Sequence, residues 1–141
     1  MTAEFIVAAH SLAYLNHKGD YCSSEEIAEN VCTNPARVRK VMTKLKRAGL
    51  VKTHAGFVGG YRLAKPPQTV TLRDVFYAVG KRIVKVTWRS GSPDMDCPIA
   101  AGMRPYMDAL FDSLDACCAE RLAKTTLADI DRALFADKGE A

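Results

Sequence analysis

The apolar positions of the chain change their period several times. From Phe5 to Leu15 they fill nearly every place: Phe5, Ile6, Val7, Ala8, Ala9, Leu12, Ala13, Tyr14 and Leu15. That density predicts a helix buried on several sides, a floor for the next two helices and a surface that a second subunit can touch. Asn16 to Asp20 reads as a loop. From Ser23 the apolar residues recur at helical spacing. Ser23 and Glu26 have the spacing of a capping box, and Ile27, Ala28 and Val31 give a small apolar face. Val31-Cys32-Thr33 is as short a connection as a helix-turn-helix allows. Asn34 can cap the next helix, Pro35 suits its first turn and Gly49 stops it.

On a wheel of roughly 100° per residue, Val38, Val41, Met42, Leu45 and Ala48 share one arc of this helix. Arg37, Lys40, Lys44 and Arg47 gather opposite, with Arg39 and Lys46 beside them. No acid interrupts Pro35 to Lys52. A solvated face normally mixes signs, so six cations together fit the major groove of DNA, where arginine pairs with guanine edges and lysine with phosphates. Leu50 to His54 then reads as a strand and Tyr61 to Leu63 as its partner. Between them, Gly56, Gly59 and Gly60 permit positive φ and close approach of backbone to a phosphate. Phe57 at the tip either wedges at a groove or covers the hairpin.

Ala64 to Gln68 breaks the strand. Thr71 caps a short helix, Leu72 to Val79, with Asp74 at its third position, and Gly80 ends it. Ile83 to Trp88 alternates weakly, as an extended linker does. Ser90 to Asp94 has the composition of a hinge. From Ile99 a helical pattern builds, with Pro105 in its first turn or at an early kink. Met103, Tyr106, Met107, Leu110, Phe111, Leu114, Cys117 and Cys118 fall on an arc about 140° wide, with Asp108, Asp112 and Asp115 outside it. So small a chain has little else to cover this stripe, which predicts a twin helix from a second subunit. Thr126 caps a last helix, Leu127 to Phe135, expected to fold back over this arm.

Size and charge sharpen the picture. The 141 residues suit one domain, or one small domain with a dimerisation arm. The fold expected is mainly α with a small β-hairpin. Residues 1–89 form a winged helix-turn-helix and 90–141 the arm. The net charge of +4 is unevenly spread. Met1 to Lys65 holds ten Lys/Arg against five Asp/Glu, Pro66 to Ser92 five against one, and Pro93 to Ala141 five against ten. A basic front and an acidic rear favour a nucleic-acid-binding half and an oligomerisation or regulatory half. No apolar run is long enough to span a bilayer, and the N-terminus lacks a basic n-region, so no membrane partner and a cytoplasmic location are expected.

The five cysteines are Cys22, Cys32, Cys97, Cys117 and Cys118, an odd number without a C-x-x-C pair. Neither a disulfide framework nor a zinc site of usual spacing is expected, and no metal or cofactor is assigned. A Cys22–Cys32 bridge is possible only if geometry allows. Cys97, before Pro98 at the start of the long helix, is a candidate redox thiol. Asp94 and Asp96 oppose its ionisation, and a small residue filling a joint is the plainer reading. His10, His17 and His54 are scattered, with nothing to pair them, so no enzyme is expected. Trp88 and Tyr77 either line a ligand pocket at the arm junction or serve as core and linker contacts.

The order HSLAYL, then SSEEIAENVCTNPARVRKVMTKLKRAGLVKTHAGFVGGYRLAKPPQTVTLRDVFYAVG, then DCPIAAGM and TTLADI resembles the Rrf2 family of bacterial transcription regulators. The likeness runs from about Ala3 to Leu134. It implies a homodimeric, sequence-specific DNA-binding protein, mostly a repressor, on a roughly palindromic double-stranded operator. Its best-known branches sense iron–sulfur status, nitric oxide or cysteine supply. The cluster-binding branches carry three close cysteines before the long helix, where this chain has only Cys97. DCPIAAGM is more similar to the cluster-free, YwnA-like branch.

The DNA-binding residues expected from both lines are Ser24, Asn34, Pro35, Arg37, Arg39, Lys40, Lys44, Arg47, His54, Gly56, Phe57, Gly59, Gly60 and Tyr61. Dimerisation falls to Met103, Met107, Leu110, Phe111, Leu114 and Cys118. The signal is thiol oxidation at Cys97 or an unidentified small molecule at the arm junction. A reading of another class is a winged-helix protein-interaction module that binds no DNA.

Overall fold

A computed structural model of the chain describes residues 2–54 and 59–136. The order is α1 (Ala3–Lys18), α2 (Ser24–Val31), α3 (Pro35–Arg47), β1 (Val51–His54), β2 (Gly60–Leu63), a 3-10 turn at Pro67–Thr69, α4 (Leu72–Val79), α5 (Pro98–Leu122) and α6 (Leu127–Phe135). The two strands are antiparallel, with Val51 opposite Leu63 and His54 opposite Gly60.

Local chemistry sets most boundaries. Asn34 accepts the Arg37 amide at 2.8 Å and Pro35 opens α3. Gly49, at φ 78°, takes the left-handed turn that ends it. Thr71 and Thr126 each close a full capping box, with Asp74 and Asp129 reaching back to the cap amide. The Ser23–Glu26 box is only half made. Ser23 accepts the Glu26 amide, but the Glu26 carboxylate takes the Tyr14 hydroxyl at 2.7 Å instead. The α2–α3 turn rests on Cys32 at φ 65°.

One core joins the elements. Val7, Leu12 and Leu15 of α1, Ile27 of α2, Val38, Val41, Met42 and Leu45 of α3, and Val75 of α4 are buried together. Ala48 stands outside it, exposed just beyond the last turn of α3. The first helix is buried along one stripe rather than on several sides, and Ile6 is 63% exposed. Helix α6 does not fold over the arm. Its Leu127 enters the main core and Ile130 packs against it. Backbone explains the difference: the Leu127 amide donates to Val70 O and the Leu72 amide to Thr125 O, so Thr71 and Thr126 pair and α4 and α6 start side by side.

Helix α5 behaves differently. It runs 25 residues, carries Pro105 well inside rather than in its first turn, and has no buried residue. The linker before it is held by the three aspartates that the wheel leaves outside the apolar arc. Arg82 pairs with Asp112 and Arg89 with Asp108, both at 2.7 Å. The amides of Ile83 and Val84 each donate to one oxygen of Asp115 at 2.8 Å. The segment with hinge composition is also tied down. Ser92 N donates to Ala100 O, and Arg104 donates to Gly91 O at 2.7 Å. Gly91 sits at φ 66°, and a Cβ there would stand 2.1 Å from Ala100 O.

Candidate nucleic-acid interface

Two pieces of chain meet beside α3: the first turn of α2 and the base of the hairpin. The α2 terminus and hairpin bound a cleft of about 260 Å³, lined by Ser23, Ser24, Glu25, Thr53, His54 and Tyr61 among others. The first amides of a helix favour an anion here. The hairpin is held in place from outside. Cys22 and Tyr61 exchange two backbone hydrogen bonds, at 2.9 and 2.8 Å, an isolated antiparallel bridge that pins the wing to the chain before α2. Gly60 owes its identity to that join, since a Cβ would lie 2.7 Å from Cys22 O. Close approach to Cys22 is a requirement that this glycine satisfies within the fold. Tyr61 is half-buried against the core, while His54 packs on Tyr21 with ring centroids 5.2 Å apart. Gly59 is exposed beside the cleft. Gly56 and Phe57 lie outside the described residues.

The cations of α3 divide into two sets. Arg37, Lys46 and Arg47 are exposed, with no acidic partner among the described residues. Arg39, Lys40 and Lys44 are braced. Arg39 donates to Ser24 Oγ at 3.2 Å and faces Glu25 at 3.5 Å. Lys44 Nζ meets Glu4 at 2.7 Å, with Lys40 at 3.6 Å on the other oxygen. The Lys44 hydrogen bond holds the Glu4 carboxyl below its ordinary pKa. Lys44 therefore ties α3 to α1, while Ser24, buried itself, orients Arg39. Sequence reasoning finds Lys44 and Ser24 but misses Glu4 and Glu25, each far along the chain from its partner on α3. No periodicity reports such pairs.

The cysteines and histidines differ in their surroundings. Cys97 caps α5, is exposed, and has its thiol pKa lowered by the amides of Ala100 and Ile99. Cys22 is buried and Cys32 exposed, both as free thiols, so no bridge joins them. Burial, with Glu26 adding to it, pushes the Cys22 thiol up to about 11. His17 is not isolated as expected: its ring stacks on Phe135 at 4.2 Å and stands 3.7 Å from Asp131. His10 bonds Asn30 at 2.8 Å. On α5, Leu110 and Leu114 are 42% exposed and Met103 39%, while Met107, Phe111 and Cys118 are half-buried.

Residues 1–133 match the model of the Rrf2 family, described as an iron-dependent transcriptional regulator. The chain belongs to the Rrf2 family. It is similar to YwnA of Bacillus subtilis, named for a helix-turn-helix type of transcriptional regulator, at 31% identity over 135 residues, covering 96% of this chain and 99% of that one. A crystal structure from Lactobacillus plantarum, described as a transcriptional regulator, superposes with a TM-score of 0.81 at 27% identity, covering 95% and 91%. Another, described as a DNA-binding protein, gives 0.74 at 30% identity, covering 91% and 98%. The fold is thus the winged helix-turn-helix of these regulators, and the chain is a transcriptional regulator by family.

Iron in the family description sets a test for the thiols. A cluster needs several thiolates converging on it. No group of three or more His, Cys, Asp or Glu suited to a metal stands together among the described residues, which include all five cysteines. Cys97 caps the helix that carries Cys117, twenty residues and so about 30 Å further on. The thiols of this chain do not by themselves fit a cluster. No helix among the described residues is long and apolar enough to cross a membrane.

Proposed function

We propose that this Rrf2 protein is a homodimeric, sequence-specific DNA-binding repressor that a signal releases from its operator. The observation that carries it is the cationic outward face of α3: Arg37, Lys46 and Arg47 have no acidic partner among the described residues, and Arg39 is held at Ser24 on the rim of the cleft between the α2 terminus and the wing. Arg37 lies in the first turn of α3, where groove-reading side chains of a recognition helix sit. Asn34 and Pro35 fix that turn, Ser24 aims Arg39, and His54 and Gly59 flank the phosphate side.

The second copy docks through α5. Tyr106 is 71% exposed and Leu110 and Leu114 form the centre of the same face. Such an exposed apolar stripe along one long helix is the natural seam for a twin helix. Two recognition helices then meet half-sites about 34 Å apart or a multiple of that. The effector acts where α5 meets the linker. A thiol version of the signal is favoured by one observation: Cys97 is exposed at the start of α5, where the helix meets the linker.

The test is selection of DNA by the purified protein from a random pool, followed by titration in rising salt. The expected outcome is a two-fold symmetric site whose affinity falls steeply with salt, because phosphate contacts release counterions. Enrichment of no sequence, with sedimentation as a dimer, would identify a protein-interaction module instead.

A further inference from the structure

The linker and α5 bound a half-open cavity of about 230 Å³ whose walls include neither Tyr106 nor Leu110. Those walls are mainly apolar: Val86 and Trp88 from the linker, Met103, Met107 and Phe111 from the helix. The polar lining is Arg89, Arg104, Asp108 and Ser90, two cations against one anion. Arg104 lines the cavity, anchored by a hydrogen bond to Gly91 O, and its Nε is buried without a hydrogen-bond partner. Arg89 lines it too, held by Asp108, and this pair separates it from a polar chamber of about 210 Å³ bounded by Arg82 and Asp112. Asp108 is thus already neutralised, which leaves the charge of Arg104 uncompensated. Trp88 is 79% exposed, an aromatic wall still open to solvent.

We infer that this cavity binds a small organic carboxylate with one aromatic ring or a short aliphatic chain. The apolar body lies between Trp88, Met107 and Phe111, and the carboxylate faces Arg104. The volume is below the roughly 300 Å³ at which drug-sized pockets begin, so the ligand is small. Guanidinium is the group that suits a planar carboxylate, and burial beside thioether and aromatic walls strengthens the pair. The cavity touches both the linker to the DNA-binding part and the helix of the proposed seam, and its Met103, Met107 and Phe111 are among the residues expected to meet the second copy. Occupancy therefore bears on how the two are set relative to each other. That regulatory consequence rests on the repressor reading; binding itself does not.

Trp88 is the only tryptophan of the chain, so its fluorescence reports the cavity directly. The experiment titrates the intact protein with phenylacetate, phenylacetamide and benzylamine, without DNA. Phenylacetate should saturate the signal, and the neutral amide and the amine should bind at least about tenfold more weakly, the loss expected for a charge-assisted hydrogen bond. Arg104→Met should reduce phenylacetate to the level of the amide, and Arg104→Lys should recover part of the difference. No saturable change with phenylacetate up to about 10 mM, or equal binding of acid and amide to the wild type, would overturn the inference. Neither result depends on the variant folding or on an operator being known.

Discussion

Helices α3 and α5 announce themselves by the same periodicity, yet the chain closes only one of them. The apolar arc of α3 is sealed: Val38, Val41, Met42 and Leu45 have no exposed surface. On α5 none of 25 residues is buried. The difference teaches what an amphipathic pattern can say. It reports that a face wants cover, and the cover for α3 comes from α1, α2 and α4, which precede or closely follow it. For α5 the available cover is the linker and part of α4, and together they bury none of its residues. A helix with a sealed face has a fixed pose, which suits presentation of Arg37 and Arg47. A helix with an open face suits assembly.

The largest test of that contrast is truncation on each helix. Leu45→Ala should cost about 2–5 kcal/mol in denaturant unfolding, since it opens a cavity in a packed core. Leu114→Ala should cost far less in the same measurement at low protein concentration. Leu114→Asp should leave the fold intact and dissociate the dimer in sedimentation, because the seam cannot pair the charge. Equal costs for the two alanine variants, in a protein that sediments as a monomer at micromolar concentration, would mean that α5 is closed by its own chain after all.

The cations of α3 can be separated in the same spirit. Arg37→Ala should lose roughly 1–3 kcal/mol of operator affinity and relax specificity at one position. Lys44→Met should act through the fold instead. Its partner Glu4 has a lowered pKa, so the Glu4–Lys44 contribution is present above the ordinary carboxyl value of 4.5 and is lost as pH falls through the lower folded value. Lys44→Met and Glu4→Gln should both flatten the acid limb of the stability profile, and Arg37→Ala should not. Were Arg37→Ala silent on DNA and Lys44→Met damaging without any change in acid stability, the division of the cations would be reversed.

Much of this architecture is legible in the sequence because its signals are local. Asn34, Pro35 and Gly49 bound α3; Thr71 and Gly80 bound α4; Thr126 starts α6. Each is a matter of a cap or a φ angle within a few residues. The features that escape span long separations. Tyr61 and Cys22 pair across the wing, Lys44 reaches Glu4, and Asp108, Asp112 and Asp115 clamp a linker that lies well before them in the chain. By composition the acidic rear of the chain signals oligomerisation, but part of its charge holds the basic linker. Leu127 groups with the arm by position alone, since no local mark shows that Val70 holds it to the core. For the interface, the residue types are legible; which cations are already engaged is not.

A smaller effect tests that last join. Thr126→Ala removes a capping box at the point where α6 meets α4, and should cost about 1 kcal/mol. Hydrogen exchange should rise in α6 and at Leu72 while leaving α5 unchanged. Faster exchange in α5 instead would put α6 back over the arm.

The smallest test concerns thiols, one beside each of the contrasted helices. Cys22 is buried where the wing joins the core that seals α3, with its pKa pushed up to about 11 by burial and Glu26. Cys97 is exposed at the start of α5, with its pKa lowered by the Ala100 and Ile99 amides. Reactivity follows the thiolate and its access. Iodoacetamide at neutral pH should therefore modify Cys97 first and Cys22 only on unfolding, as peptide mass spectrometry would read. The consequence for function is separable. Peroxide or diamide should weaken operator binding in the wild type and not in Cys97→Ser, because added bulk at that joint alters the spacing of two helices that must enter the groove together. If Cys97 labels first yet oxidation leaves affinity unchanged, the thiol is reactive without being the sensor. The cavity between the linker and α5 then remains as the seat of the signal.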